Sequence, residues 1–326
     1  ILSATSVTEE FAGDIAPLVT GGFTSAYAAL STPGGGYSLS ISDVTAGGNT
    51  GLGTGLASTS VPGNTLDYPT VSVSSANAAL VAWLKDAAGA SGAAGDVVRF
   101  AIYDPVANTL AVPAADLFSH GGSTGGDIEH VTSTVLANGN FVVAAEVTAG
   151  AWGEIWYEIV SPAGVQTVHR IIDATDGNSE QDTDPSIAAL TTGNFVISWT
   201  NEDGVDTDAY FQLFASNGDE IGSAVRIDGN GTTDDNSETC VVALDDGGFI
   251  VFWADNEAGN EAMRGQRFDA DGDAVGAGFV IDAGSGSSPD ATLLGDGRVM
   301  VVWATEELHY AILDPRGGPA TPRTWS

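Results

Sequence analysis

The sequence predicts an all-β fold, a β-propeller of about six four-stranded antiparallel blades, on three observations. One strand–turn–strand pattern recurs six times along the 326 residues. Its segments are short, β-branched and aromatic, and are bounded by Gly, Asp and Asn, which is the signature of strands rather than helices. Gly, at 43 residues, stands at about twice its usual ~7% share, as a chain of many tight turns requires.

The repeat is clearest at Ser186-Ile187-Ala188-Ala189-Leu190, then Thr192-Gly193-Asn194, then Phe195-Val196-Ile197-Ser198-Trp199. Cys240 to Leu244 with Phe249 to Trp253, and Ala291 to Leu294 with Val299 to Trp303, repeat it. The looser copies are Phe23 to Tyr27, Ala79 to Trp83 and Phe141 to Ala145. One position therefore recurs as Tyr27, Trp83, Ala145, Trp199, Trp253 and Trp303, at intervals of 50–62 residues. A single four-stranded sheet leaves both faces open, so each unit must bury them against its neighbours, and the recurring aromatic is the residue expected to fill those contacts.

Third strands follow, as in Phe211-Gln212-Leu213-Phe214 before Ser216-Asn217-Gly218. Asn-Gly and Asp-Gly pairs supply the positive φ that tight hairpins need. The copies place blade starts near residues 14, 67, 127, 182, 235 and 287 of one domain spanning 1–326. The irregular first 80 residues leave room for a seventh blade. Either the surplus strand Leu2 to Val7 or the segment Ala320 to Trp325 is expected to complete the last blade.

Charge narrows the function classes. The net charge is −34, with 9 Lys+Arg against 43 Asp+Glu, which argues against nucleic acid or an anionic membrane surface as partner. No apolar run reaches the ~18 residues of a membrane-spanning helix. Cys240 is the single cysteine, so neither an intramolecular disulfide nor a cysteine zinc site can form, and its apolar setting reads as a small buried hydrophobe. Ile1 opens the chain with no basic or apolar leader, consistent with a mature form or an excised segment. The chain is expected to be a monomer.

Hairpin logic sorts the loops onto two rims, one carrying short Gly turns and the other long acidic segments. The acidic rim gathers Asp182 and Asp184, then Asp203, Asp206 and Asp208, then Asp234 and Asp235. Clustered carboxylates are the hard oxygen ligands that Ca²⁺ takes, so these seven are the candidate metal ligands and Ca²⁺ the candidate cofactor. The same acids also suit a solvated rim on which Asp bonds nearby backbone. Neither a full EF-hand loop nor the Gly-Gly-x-Gly-x-Asp nonapeptide is present.

The histidines are His120, His130, His169 and His309. His120 and His130 bracket a polar link that ends in Asp127-Ile128-Glu129, and His120, His130, Asp127 and Glu129 are the candidate acid–base groups if the chain is an enzyme. No Gly-x-Ser-x-Gly, His-Glu-x-x-His or Cys-x-x-Cys motif occurs. Gly51-Leu52-Gly53-Thr54-Gly55 lacks the strand-then-helix setting of a phosphate loop. Eight Arg and one Lys, thinly spread, suit an anionic polysaccharide poorly as substrate.

Over residues 182–304 the unit carried by Phe195–Trp199, Phe249–Trp253, Phe268–Gly272 and Val299–Trp303 resembles the propeller-like repeats of secreted bacterial RTX, or haemolysin-type calcium-binding, proteins. That resemblance implies export, folding outside the cell in Ca²⁺, and a part in adhesion or surface display. On this basis the sequence reads as a non-catalytic, extracellular binding or display module with an acidic, calcium-binding rim and a carbohydrate or protein partner. The alternatives are an extracellular polysaccharide hydrolase or lyase, and a structural spacer.

Overall fold

The computed structural model describes residues 10–19, 21–30, 37–45, 54–58, 65–86, 96–120, 126–149, 152–172, 180–204, 206–227, 236–256, 261–284, 286–315 and 323–324. Every element among them is a strand; there is no helix among the described residues, and so none long and apolar enough to cross a membrane.

Strands follow in runs of four. The first run is β1 (Glu10–Pro17), β2 (Gly22–Leu30), β3 (Tyr37–Thr45) and β4 (Thr54–Ser58). The second is β5 (Thr65–Val73), β6 (Ala79–Asp86), β7 (Asp96–Asp104) and β8 (Thr109–His120). The third is β9 (Gly126–Val135), β10 (Phe141–Ala149), β11 (Gly153–Val160) and β12 (Gln166–Ile172). The fourth is β13 (Gln181–Ala189), β14 (Phe195–Glu202), β15 (Thr207–Phe214) and β16 (Glu220–Arg226). The fifth is β17 (Asn236–Ala243), β18 (Phe249–Asp255), β19 (Ala262–Phe268) and β20 (Phe279–Ala283). The last is β21 (Ser287–Leu293), β22 (Val299–Ala304), β23 (Leu308–Leu313) and β24 (Arg323–Thr324). Four runs form separate four-stranded sheets, and the third and fourth share one sheet through a single parallel bridge, Gly153 to Gln181. The fourth strand of the last sheet comes from the C-terminal segment, Arg323–Thr324 pairing with Tyr310 and His309. The proposed Leu2–Val7 strand lies outside the described residues.

Two compact units divide the chain. One holds residues 1–135, 139–150 and 156–171, the other 136–138, 151–155 and 172–326. In the first unit one apolar cluster sits between the first and second sheets around Leu39, Ile41, Val81 and Trp83. Another joins the second and third through Leu84, Phe100, Phe141 and Val143. In the second unit the fourth and fifth runs share Leu190, Phe211, Phe249 and Phe268, and the fifth and sixth runs share Phe252, Met263, Val301 and Trp303. The cores therefore lie between sheets. Of the recurring residues, Trp83, Ala145 and Trp303 lie in these clusters, and Trp199 and Trp253 are buried as well.

Hairpin turns take the expected glycines. Gly193 and Gly247 have φ of 92° and 93°, a region where a side chain would be strained, and their N–H groups close the turns onto Leu190 and Leu244.

A second regularity runs through the first strand of five runs. Tyr68, His130, Asp184, Glu238 and Ser288 all have left-handed backbone, with φ between 48° and 55°. Each lies fifteen residues before the recurring position, and each sits at a bulge where two residues oppose that single one on the second strand.

Candidate functional site

The bulge in β9 builds a cluster that the other four bulges lack among the described residues. In a regular strand neighbouring side chains point to opposite faces, so Glu129 and His130 would diverge. His130, at φ 49°, breaks the alternation and turns its imidazole toward the side on which Glu129 and Glu146 stand. Glu146 lies directly across the ladder from Glu129. Nδ1 of His130 is 2.9 Å from Oε2 of Glu146, and since a carboxylate only accepts, the ring donates its Nδ1–H. Donor atoms of Glu129, His130 and Glu146 all fall within 4.8 Å of one another, with Glu146 buried and the other two half-buried. The Tyr68 ring, from the matching bulge of the second sheet, stands 5.1 Å from the imidazole.

The third sheet departs from the repeat at this point. Opposite the bulge the second, fourth, fifth and sixth runs carry Trp83, Trp199, Trp253 and Trp303, followed by Leu84, Thr200, Ala254 and Ala304; the third run carries Ala145 and Glu146. Glu146 was not among the candidates read from the sequence. The break in the Trp pattern was the available signal.

His120 and Asp127 fall outside this cluster. His120 lies edge-on to Trp156 at 5.7 Å, in a separate group with Phe118 and His169. Asp127 is exposed, and its backbone N–H meets Thr148 Oγ1. Beside Trp156 on β11, burial pushes the Glu158 carboxyl up to about 7, with His169 Nδ1 3.9 Å away.

The candidate calcium ligands are engaged by the protein itself wherever they are described. Asp182 Oδ1 accepts the Trp199 indole N–H and the Asn201 amide, each at 2.8 Å. Arg226 pairs with Asp206 and Asp208, and Asp203 accepts the backbone N–H of Asp206. Asp184 is the bulge residue of β13 and receives a weak hydroxyl contact from Thr183 at 3.5 Å. Asp234 and Asp235 lie outside the described residues, as does Gly51 to Gly53.

No protein-family model matches the chain, and no curated protein does. Solved structures do. The NanB sialidase of Streptococcus pneumoniae superposes with a TM-score of 0.63 at 9% identity, over 97% of this chain and 70% of that one. An α-L-arabinanase of Penicillium chrysogenum gives 0.58 at 11% identity, over 97% and 93%. An α-L-arabinofuranosidase of Fusarium graminearum gives 0.56 at 11%, over 96% and 91%.

These likenesses show a β-propeller fold. They also correct two expectations. The resemblance to RTX calcium-binding repeats gives way, because these similar structures are glycosidase propellers; the Phe-Val-Ile-x-Trp pattern that carried it is a packing pattern, with its aromatics buried. The reading of a non-catalytic adhesion or display module falls with it, since the structures this chain resembles are named for cleaving glycosidic bonds.

Proposed function

We propose that the chain is an extracellular glycoside hydrolase on a six-bladed propeller, acting on a neutral polysaccharide of the arabinan type. The observation that carries this reading is the Glu129–His130–Glu146 cluster, with donor atoms within 4.8 Å of one another and His130 hydrogen-bonded to Glu146. The cluster thus places a carboxylate able to act as nucleophile beside an imidazole able to act as acid and base.

The geometry suits a division of labour. Glu129, half-buried and reachable, attacks the anomeric carbon. Glu146 accepts the Nδ1–H and orients the ring, and His130 in its protonated form gives the Nε2 proton to the leaving oxygen as the glycosidic bond breaks, leaving a neutral imidazole. Water then attacks the glycosyl–Glu129 ester, returns a proton to His130 and frees the carboxylate. Tyr68 walls the site with a ring that can meet the apolar face of a sugar.

Charge favours a neutral substrate. An acidic sugar needs cations, yet Arg99, Arg226, Arg264, Arg267 and Arg298 are each paired with a carboxylate of the chain itself. Release of reducing ends from arabinan, compared between the native chain and Glu129→Gln, tests the reading.

A further inference from the structure

We propose that Glu129, His130 and Glu146 also form a binding site for a first-row divalent metal ion, and that the loaded form is inhibited. The metal arm stands on these three side chains alone; the inhibition arm rests on the hydrolase reading. One imidazole and two carboxylates make a mixed nitrogen–oxygen donor set, which favours Zn²⁺ or Mn²⁺ over Ca²⁺, an ion that takes six to eight oxygens.

Three features support the site. First, the donors lie within 4.8 Å of one another, so bonds of ~2.0–2.2 Å need only small side-chain shifts. Second, two carboxylates directly opposed on a ladder repel, and the nearly dry Glu146 gains most from a compensating charge. Third, the left-handed backbone at His130 is what brings a third donor to the side of the two carboxylates, whereas at the other bulges the matching residues are Tyr68, Asp184, Glu238 and Ser288 opposite a Trp. An ion held here occupies the lone pairs that Glu129 needs for attack, so occupancy and turnover oppose each other.

The test titrates the metal-stripped full chain with Zn²⁺, Mn²⁺ and Ca²⁺ separately, by calorimetry without substrate. His130→Asn is the first variant, because Asn tolerates left-handed backbone; Glu129→Gln, on a half-exposed side chain, is the second and guards against a folding defect. Expected is one Zn²⁺ or Mn²⁺ per chain, weakened at least tenfold in both variants, with Co²⁺ giving visible absorption that His130→Asn alters. Absence of Zn²⁺ and Mn²⁺ binding, or binding that both variants leave intact, overturns the site. Binding that meets these expectations while Zn²⁺ leaves glycan turnover unchanged overturns the inhibition alone, and a chain that binds the ion but cleaves no glycan sinks the hydrolase reading and not the site.

Discussion

Trp199 donates its indole N–H to Asp182, seventeen residues earlier, at 2.8 Å, and both groups are buried. Trp253 repeats the contact with Asn236 at 2.9 Å, also seventeen residues earlier. Where the matching residue is Leu66 or Gly286, the indoles of Trp83 and Trp303 find no acceptor among the described residues. At Gly286 a side chain would collide with Trp303 and Met263, each 2.8 Å from an added Cβ. Asp182 thus acts as an anchor for the repeat's aromatic. Replacing it with Ala leaves the indole and the Asn201 amide buried without that acceptor, and should cost about 1–3 kcal/mol in urea unfolding. Asp182→Asn, which keeps an acceptor, should lose less. Equal losses would remove the anchor.

Glu158 sets a pH dependence. Its ordinary value of 4.5 is raised to about 7 by burial, so between these limits the folded chain holds a proton that the unfolded chain has released. Its contribution to stability therefore declines as pH rises from about 4.5 to 7 and is flat above. Glu158→Gln removes the decline: its Tm should exceed that of the native chain at pH 8 and match it at pH 5. A gain of the same size at both pH values would contradict the shift.

The lone thiol should be inert. Burial, reinforced by the charge of Asp290, pushes Cys240 up to about 12, and the thiolate is the reactive form. Folded protein should resist a thiol reagent such as DTNB at pH 8 and react with one equivalent only in denaturant. Rapid labelling of the folded chain would refute the packing around β17.

Strain at the bulges is measurable at Ser288, an exposed residue with φ of 50°. Ser288→Val places a β-branched side chain in left-handed backbone and should destabilise by about 1–2 kcal/mol, whereas Ser288→Gly should be neutral or stabilising. His130→Gly gains the same backbone relief but strips buried Glu146 of its 2.9 Å partner, so its Tm should fall where that of Ser288→Gly does not. Denaturant midpoints for the three variants decide it, and a stable Ser288→Val would show that the bulge is not held in that conformation.

Much of this was legible from residue order. Alternation of short apolar runs with Gly turns reports burial and chain reversal directly, so the four-stranded units and the buried Trp83, Trp199, Trp253 and Trp303 could be read without coordinates. Glu129 and His130 could be named for their chemistry. Their partner could not, because Glu146 comes beside them only through the ladder and the bulge, neither of which has a composition signature. The acidic segments are ambiguous for a related reason. An Asp in a loop looks the same whether it meets solvent, a cation or an indole, and Asp182 meets the indole of Trp199. Resemblance to RTX repeats came from a strand pattern that any propeller sheet needs to bury its faces.

The most direct test of the account is the initial rate of reducing-sugar release from α-L-arabinan by the native chain and by Glu129→Gln, with a sialylated glycan as the comparison substrate. The account predicts turnover of arabinan, a loss of at least about 10³-fold in Glu129→Gln with its Tm preserved, and little action on the sialoside. Turnover that Glu129→Gln leaves intact, or cleavage of the sialoside in preference to arabinan, would contradict it.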